Sequence, residues 1–448
     1  MSLINNINEK IVLPLSDIVL GQSIKKHFDF LQKSQWWSEG DLKEYQNERL
    51  RALIKHAYGN VPYYNTLLKK LKLKPNDIKG VNDLVKIPIL TKEDIRANFK
   101  NGEIIAQNIS KKDLILKGSS GSTGEPLQYC ITKDAESFSK ACGIRGWYWM
   151  EFRLGDRYIK LSQNPRKGIK RIQDKVNNSY YIFAQQLTSA NFKQITESIA
   201  KTKPLFIRGY PDPMLFLAKY IRENNIALPP VVAINTTGNM LFPETKAFIG
   251  EVFHAPVFDS YSCEGGANVF ECDTHDCYHS SMEYAVTEVI PDSNEVNPSE
   301  RGRLITTDLH NYAAPFIRYD TQDYVIKSSE QCTCGRKLLA INTIEGRDSD
   351  ILITPRGKYL IVHNFTGYFE WLDSVEQFQI RQDTIDEFDF LLKVNSKYSS
   401  EIEREIYNYW EKYINEDVKI KIHVVDDIPL AKSGKRRFLI RSKDIKID

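Results

Sequence analysis

The stretch Leu114-Ile115-Leu116-Lys117-Gly118-Ser119-Ser120-Gly121-Ser122-Thr123-Gly124-Glu125-Pro126-Leu127-Gln128-Tyr129-Cys130-Ile131 decides how this chain is read. The runs Leu114 to Leu116 and Leu127 to Ile131 have the texture of strands. Between them lies a loop of glycine, serine and threonine. Glycine lets a backbone take positive φ and approach a ligand closely. Successive N–H groups and hydroxyls in such a loop can converge on phosphate oxygens. No Gly-Lys-Ser/Thr closes it, so it is not a Walker A loop, and it joins strand to strand. A plain turn is the commoner meaning of Gly/Ser composition. The order Ser-Ser-Gly-Ser-Thr-Gly-x-Pro is much more specific than composition.

Working outward, the first hundred residues read as helical. Leu42 to Ile54 places apolar side chains at helical spacing. Val61-Pro62-Tyr63-Tyr64 ends that helix. Beyond the loop, short β-rich runs (Leu205-Phe206-Ile207, Val231 to Asn235) alternate with helical patterns, an α/β signature. After Gly346-Arg347-Asp348-Ser349-Asp350 the texture restarts. Phe388 to Leu392 alternates, Glu401 to Ile414 is an amphipathic helix, and Val418 to Val425 alternates again. The expected architecture is a large α/β domain over 1–346 with a helical N-terminal segment. A small, mobile α+β domain over 347–448 follows it.

The chain has 448 residues, with 61 Lys+Arg against 58 Asp+Glu. A net charge of +3 gives no reason to expect nucleic acid or an anionic membrane as main partner. No run of about 18 apolar residues exists, so no membrane-spanning helix is expected. Met1 to Gly21 carries Glu9 and Asp17 inside its apolar stretches and lacks a signal-peptide pattern. Seven cysteines, an odd number, argue against a disulfide scaffold and for a cytoplasmic protein. Cys130 and Cys142 stand apart and read as small buried hydrophobes. Cys272, His275, Cys277, His279, Cys332 and Cys334 offer more than enough ligands for a tetrahedral zinc, against the alternative of metal-free buried thiols.

The loop Ser119-Ser120-Gly121-Ser122-Thr123-Gly124 resembles the phosphate loop of the acyl-adenylate-forming ligases. Further segments resemble that superfamily in the same order: Asp259-Ser260-Tyr261-Ser262-Cys263-Glu264-Gly265-Gly266, Arg318-Tyr319-Asp320-Thr321-Gln322-Asp323, the hinge-like Gly346 to Asp350, and Pro429-Leu430-Ala431-Lys432-Ser433-Gly434-Lys435. Gln35-Trp36-Trp37, Ala57 to Tyr64, Ile87-Pro88-Ile89-Leu90-Thr91-Lys92 and Cys332-Thr333-Cys334-Gly335-Arg336 are similar to the phenylacetate–CoA ligase and CapK-like subgroup. The resemblance spans nearly the whole chain. It departs at three places: Tyr261 and Glu264 stand one residue closer than usual, Ser262 replaces a glycine, and Gln322 stands where glycine is usual. The adenine stack and the ribose turn are therefore expected to differ in shape.

The resemblance implies a reaction. A carboxylate attacks the α-phosphate of ATP, and an acyl-adenylate and pyrophosphate form. Two anions must meet, so positive charge is needed at the reacting centre. Lys435 is the implied catalytic lysine, although charge alone would read it as part of a basic tail with Lys432, Arg436 and Arg437. Glu264 is the implied Mg²⁺ ligand, Asp323 the ribose ligand, Tyr261 the adenine contact and Arg347 a ribose or phosphate contact. The bland alternatives are a loop glutamate, a turn aspartate and a linker arginine. For the metal, the resemblance selects Cys272, His279, Cys332 and Cys334. A closed Cys₃His set would make zinc structural. Implied partners are ATP, a small carboxylic acid suited to the many aromatic residues, and coenzyme A or an amine or hydroxyl acceptor; a homodimer is compatible. Gly209 to Pro213 and Thr236 to Met240 are either acid-pocket walls or ordinary turns. The competing reading is a non-catalytic scaffold of a polysaccharide system that keeps the fold, which retention of Lys435, Glu264 and Asp323 together argues against.

Overall fold

The computed structural model describes the chain except for residues 1, 119–126, 163–173, 175–176, 184–188, 292–300, 348–350, 357–358, 370–371, 430–436, 443 and 446–448. Two compact units are present. The first runs to Thr321 and resumes over Val325–Ile344, and the second is built mainly from Glu345–Asp448.

The first unit opens with helices α1 (Leu3–Ile7), α2 (Leu13–Leu20), α3 (Ile24–Ser34), α4 (Glu39–Asn60), α5 (Pro62–Lys70) and α6 (Lys92–Lys100). A π turn, Asn8–Val12, joins α1 to α2. Ser38 caps α4 by accepting from the Asp41 N–H, which satisfies one of the four free donors at a helix start. Val61 is extended and Pro62 begins α5, because proline cannot continue α4 but suits a first helical position. Leu50, Leu53, Ile54, Ala57, Tyr64 and Leu68 bury the shared face of α4 and α5.

Strands β1 (Leu114–Gly118) and β2 (Gln128–Thr132) pair antiparallel, with Gly118 opposite Gln128. Thr132 then caps α7 (Lys133–Trp149). A parallel block follows: β3 (Tyr158–Ser162), β4 (Ser179–Phe183), β5 (Phe206–Gly209), β6 (Ala233–Thr237) and β7 (Val257–Ser262), with α8 (Ser189–Thr202), α9 (Pro211–Glu223) and α10 (Pro243–Phe253) as crossovers. Consecutive residues of these strands serve opposite cores, as the pleat requires. Ile207, Ile234 and Val257 pack with Ile199, Leu215, Ala218 and Ile249 of the helices. Phe206, Ala233 and Phe258 pack on the other face with Met150 and Phe152. Each of the larger side chains among these, Val, Leu, Ile, Phe or Met, contributes about 1.5–3 kcal/mol by leaving water.

The sheet is extended by β8 (Asn268–Glu271), β9 (Tyr278–Ser280), β10 (Ala285–Ile290), β11 (Arg301–Asp308), β12 (Tyr319–Lys327) and β13 (Ala340–Arg347). The order is β10-β11-β12-β13-β9-β8-β7-β6-β5-β3-β4.

The second unit holds the antiparallel pair β14 (Ile351–Ile353) and β15 (Tyr359–Ile361), then α11 (Val362–Phe369), β16 (Val375–Thr384), β17 (Glu387–Val394), α12 (Ser400–Ile414), β18 (Lys419–Val424) and β19 (Leu439–Arg441). Its four-stranded sheet is ordered β18-β17-β16-β19. Phe388, Phe390 and Leu392 alternate inward along β17. The Trp410 ring of α12 stacks on Phe365 of α11 at 4.3 Å. The architecture is α/β with a smaller α+β unit, as the sequence implies.

Candidate active site and cysteine cluster

In open α/β sheets the ligand crevice lies beyond the C-terminal ends of the parallel strands. Here three loops leave that edge side by side, after β5, β6 and β7. Gly209 ends β5 and Tyr210 follows it, and Gly238 follows β6. A Cβ on Gly238 would lie 2.5 Å from the Tyr210 ring, and its φ is +87°, so only glycine fits beneath that ring. The two segments read as pocket walls or turns are therefore packed against each other at the sheet edge.

Tyr261 is on β7, and Glu264 follows it, half-buried. Gly265 and Gly266 have φ of +89° and +102°. A Cβ on Gly265 would lie 2.6 Å from Tyr319, and one on Gly266 2.9 Å from Asp308. The tight turn fixes the backbone that carries Glu264. Among the described residues Glu264 has no hydrogen-bond or ion-pair partner.

Asp259, two residues before Tyr261, is buried and accepts from Thr236 Oγ1 at 2.8 Å and from the Tyr278 hydroxyl at 3.3 Å. Its backbone N–H donates to Glu271 at 2.8 Å. Burial, with the Glu271 charge beside it, pushes its carboxyl up to about 7. Lys246 and His275 both meet Glu271.

Asp323 lies buried on β12. The start of that strand is pinned by Arg318, whose guanidinium donates to both Glu288 carboxylate oxygens at 3.0–3.2 Å and to the Ile87 carbonyl at 2.8 Å. Leu90 N–H donates to the Arg318 carbonyl, and Asp320 N–H donates back to Leu90, both at 2.9 Å. The Ile87-to-Lys92 segment thus holds the β12 entry in place. Gln322 has φ +65°. The left-handed turn that glycine favours is kept although the side chain is glutamine.

Arg347 closes β13. Ser119, Ser120, Gly121, Ser122, Thr123, Gly124 and Lys435 lie outside the described residues.

The four residues that the resemblance selects, Cys272, His279, Cys332 and Cys334, are brought together. Cys272 and Cys277 flank the turn between β8 and β9, and Cys272 N–H donates to the Cys277 carbonyl. β9 pairs with β13, placing His279 opposite Ala340. Cys332 and Cys334 lie in the segment leading into β13, so residues far apart in sequence meet through sheet pairing. One donor atom each from Cys272, His279, Cys332 and Cys334 lies within 4.8 Å of the others. His279 Nε2 is 3.2 Å from Cys334 Sγ, and Cys332 Sγ is 3.5 Å from Cys272 Sγ. Zinc with Zn–S of about 2.3 Å and Zn–N of about 2.0 Å needs ligand separations near these values. The donor set fits that ion. Burial and the Arg336 charge bring His279 down to about 4, so the imidazole is neutral, the form that ligates a metal. His275 is turned away: its Nδ1 is 2.8 Å from Glu271, and its ring lies on Phe258. Cys277 Sγ is 3.8 Å from His279 Nε2, beside the four.

Several supporting residues appear only in the structure. Arg336 donates to Asp273 at 2.8 Å, approaches Cys272 Sγ at 3.7 Å, and lies over the rings of Trp36 and Trp149 at 4.9 and 4.6 Å. Trp149 Nε1 donates to Gln35 Oε1 at 2.9 Å. Gln35-Trp36 and Arg336 were visible only as motif letters; their partnership is long-range. Asp259 likewise carried no signal beyond its place before Tyr261.

Comparison with known proteins follows from this geometry. The CapK C-terminal domain family matches residues 352–442. Phenylacetate-coenzyme A ligase of Escherichia coli (strain K12) is 34% identical over 343 residues, covering 70% of this chain and 73% of that protein. The chain belongs to the phenylacetate–CoA ligase family. Protein CapK of Staphylococcus aureus is 24% identical over 415 residues, covering 90% of each. Among solved structures, 2-hydroxyisobutyryl-CoA ligase in the postadenylation state with R3-HIB-AMP superposes with a TM-score of 0.74 at 18% identity, covering 92% of each chain. As a member of the phenylacetate–CoA ligase family the chain is an AMP-forming ligase.

Proposed function

We propose that the chain activates a small carboxylic acid, of aromatic class, and transfers the acyl group to coenzyme A. The acid's carboxylate oxygen bonds to the α-phosphorus of ATP while the bond to the β-phosphate oxygen breaks, releasing pyrophosphate. The coenzyme A sulfur then bonds to the acyl carbon, AMP leaves with the oxygen, and the thiol proton passes to solvent. The observation that carries this reading is Glu264, fixed by the Gly265–Gly266 turn at the sheet edge. Its carboxylate suits a hard cation and phosphate oxygens.

Mg²⁺ bound there would spread charge off the phosphates. Tyr261 would line the adenine, and Asp323 would accept from the ribose hydroxyls. Arg347, the 119–124 loop and Lys435 would meet the phosphates, with Lys435 supplying a mobile point charge. Tyr210 and Gly238 would bound the acid. The Cys272–His279–Cys332–Cys334 set would hold a structural zinc. Likeness to CapK supports a place in capsular polysaccharide synthesis, where a sugar amine or hydroxyl would be the alternative acceptor. The test is ATP–pyrophosphate exchange over a panel of aliphatic and aromatic acids, followed by thioester detection with coenzyme A. Exchange stimulated by at least one aromatic acid is expected. Exchange by none would defeat the reading. Exchange without thioester would move the acceptor to an amine or hydroxyl.

A further inference from the structure

Residues 3–20 form a nearly continuous helix through α1, the π turn and α2. Polar side chains fasten it to its own unit. Asn5 Nδ2 donates to the Leu154 carbonyl at 3.0 Å and to Asp156 at 2.8 Å. Glu9 accepts from the Tyr148 hydroxyl at 2.9 Å, and Asp17 accepts from Lys25 N–H at 2.7 Å. Asn5 and Asp17 are buried.

Leu13 packs on the core of α3 and α7, and most of the other aliphatic side chains face the other way. Leu3, Ile4, Ile7, Ile11, Leu15, Ile18 and Val19 are 77, 59, 41, 53, 56, 77 and 81% exposed. Together they present on the order of 800 Å² of apolar surface, more than the largest patch of an ordinary monomer. A standard interface takes about 800 Å² from each partner.

Steps of four residues rotate about 40° each on an α-helix, so a stripe from 3 to 15 would wander off one face. The π turn over Asn8–Val12 accommodates one extra residue, setting the stripe back by about 100°. The face stays continuous. It is also nearly symmetric in sequence: Leu3 and Val19, Ile4 and Ile18, and Ile7 and Leu15 are equidistant from Ile11, with the 40% exposed Leu20 as the exception. A twofold interface needs such self-complementarity, because residue i meets j while j meets i.

We propose that this helix is the dimerisation element of the chain, pairing antiparallel with the same helix of a second copy about a twofold axis at Ile11. A lipid surface fits less well. Helices that lie on membranes carry Lys and Arg on the polar face and aromatic residues at the boundary. Residues 3–20 hold Lys10 against Glu9 and Asp17, with no aromatic residue, and the polar face is already bound to Tyr148, Leu154 and Asp156. Leu154 and Asp156 lead into β3, at the N-terminal ends of the parallel strands. The candidate site lies at their C-terminal ends, so pairing leaves it open. The proposal does not depend on the reaction assigned above.

The test is sedimentation velocity on the full chain across the micromolar range. Wild type is expected to be dimeric. Ile11→Glu sets two carboxylates against each other on the axis and should weaken the dimer at least about 100-fold, with the circular dichroism spectrum unchanged. Ile7→Glu and Leu15→Lys should each weaken it alone, and an equimolar mixture of the two should restore a dimer, because position 7 of one copy meets 15 of the other. A monomeric wild type, a dimer indifferent to Ile11→Glu, or a mixture no better than its components would overturn the proposal. So would wild-type monomer that co-sediments with phosphatidylglycerol/phosphatidylcholine vesicles.

Discussion

Asp259 sits in a place where a carboxylate is costly. Burial and Glu271 raise its folded value to about 7, against 3.8 for the free group. Between those values the folded chain keeps a proton that the unfolded chain has lost, so stability falls as pH rises through that window. Asp259→Asn removes the titration while Asn still accepts from Thr236. The variant should gain about 1–3 kcal/mol relative to wild type on going from pH 5 to pH 8. Urea unfolding at the two pH values measures this; an unchanged difference would place the ionised form comfortably in the fold. Lys435 belongs to the same scale. It would act as a single charge on the transferring phosphate, so Lys435→Ala should lower pyrophosphate exchange about 10²–10³-fold with unfolding unchanged. Wild-type exchange in that variant would remove Lys435 from the chemistry. Gln322 shows a compromise at one residue: a left-handed φ in a non-glycine side chain costs roughly 1–2 kcal/mol, and the turn is held nonetheless.

At the scale of elements, the cysteine cluster fastens the β8–β9 turn to the segment entering β13. Such a site adds binding energy directly to folding. Protein purified without added metal should carry one zinc per chain. Chelation, or Cys332→Ser, should lower the unfolding temperature by on the order of 5 °C or more. Cys263→Ser should keep the metal, because Cys263 lies outside the four. Stable, metal-free protein would exclude zinc as a structural element.

This element also shows what a sequence can and cannot carry. Six candidate ligands were legible as types and spacings. Spacing alone does not choose among them; the family resemblance does, and sheet pairing supplies the physical reason, setting His279 beside β13 while His275 meets Glu271. Likewise α12, β5 and β6 follow from local periodicity, whereas the order of eleven strands depends on contacts between distant residues. The Leu90–Arg318 exchange is one such contact. The N-terminal helix reverses the usual inference. Asn5, Glu9 and Asp17, together with Leu13, make the anchoring contacts, and the exposed aliphatic stripe faces outward. Polar anchors buried at a helix surface leave no periodic signature.

At the scale of the whole molecule, the proposed half-reactions make opposed demands. Adenylation needs Lys435 at the α-phosphate. Thioester formation needs a thiol at the acyl carbon of the same adenylate, in the space Lys435 and its loop would fill. One arrangement cannot serve both, so the C-terminal domain after Arg347 is expected to turn between two poses. Gly346, next to last in β13, has φ +84°, a conformation open to little but glycine. Residues 348–350, the hinge segment of the resemblance, follow directly and lie outside the described residues. A proline at Ser349 fixes φ near −65°, which restricts backbone rotation at that position. Ser349→Pro should keep pyrophosphate exchange within about 10-fold of wild type and lower single-turnover thioester formation about 100-fold or more, as expected when a conformational step is blocked and the first chemistry is not. Rapid-quench assays of the two steps separate these outcomes. Equal losses in both, or in neither, would place the pivot elsewhere or leave the enzyme stopping at the adenylate.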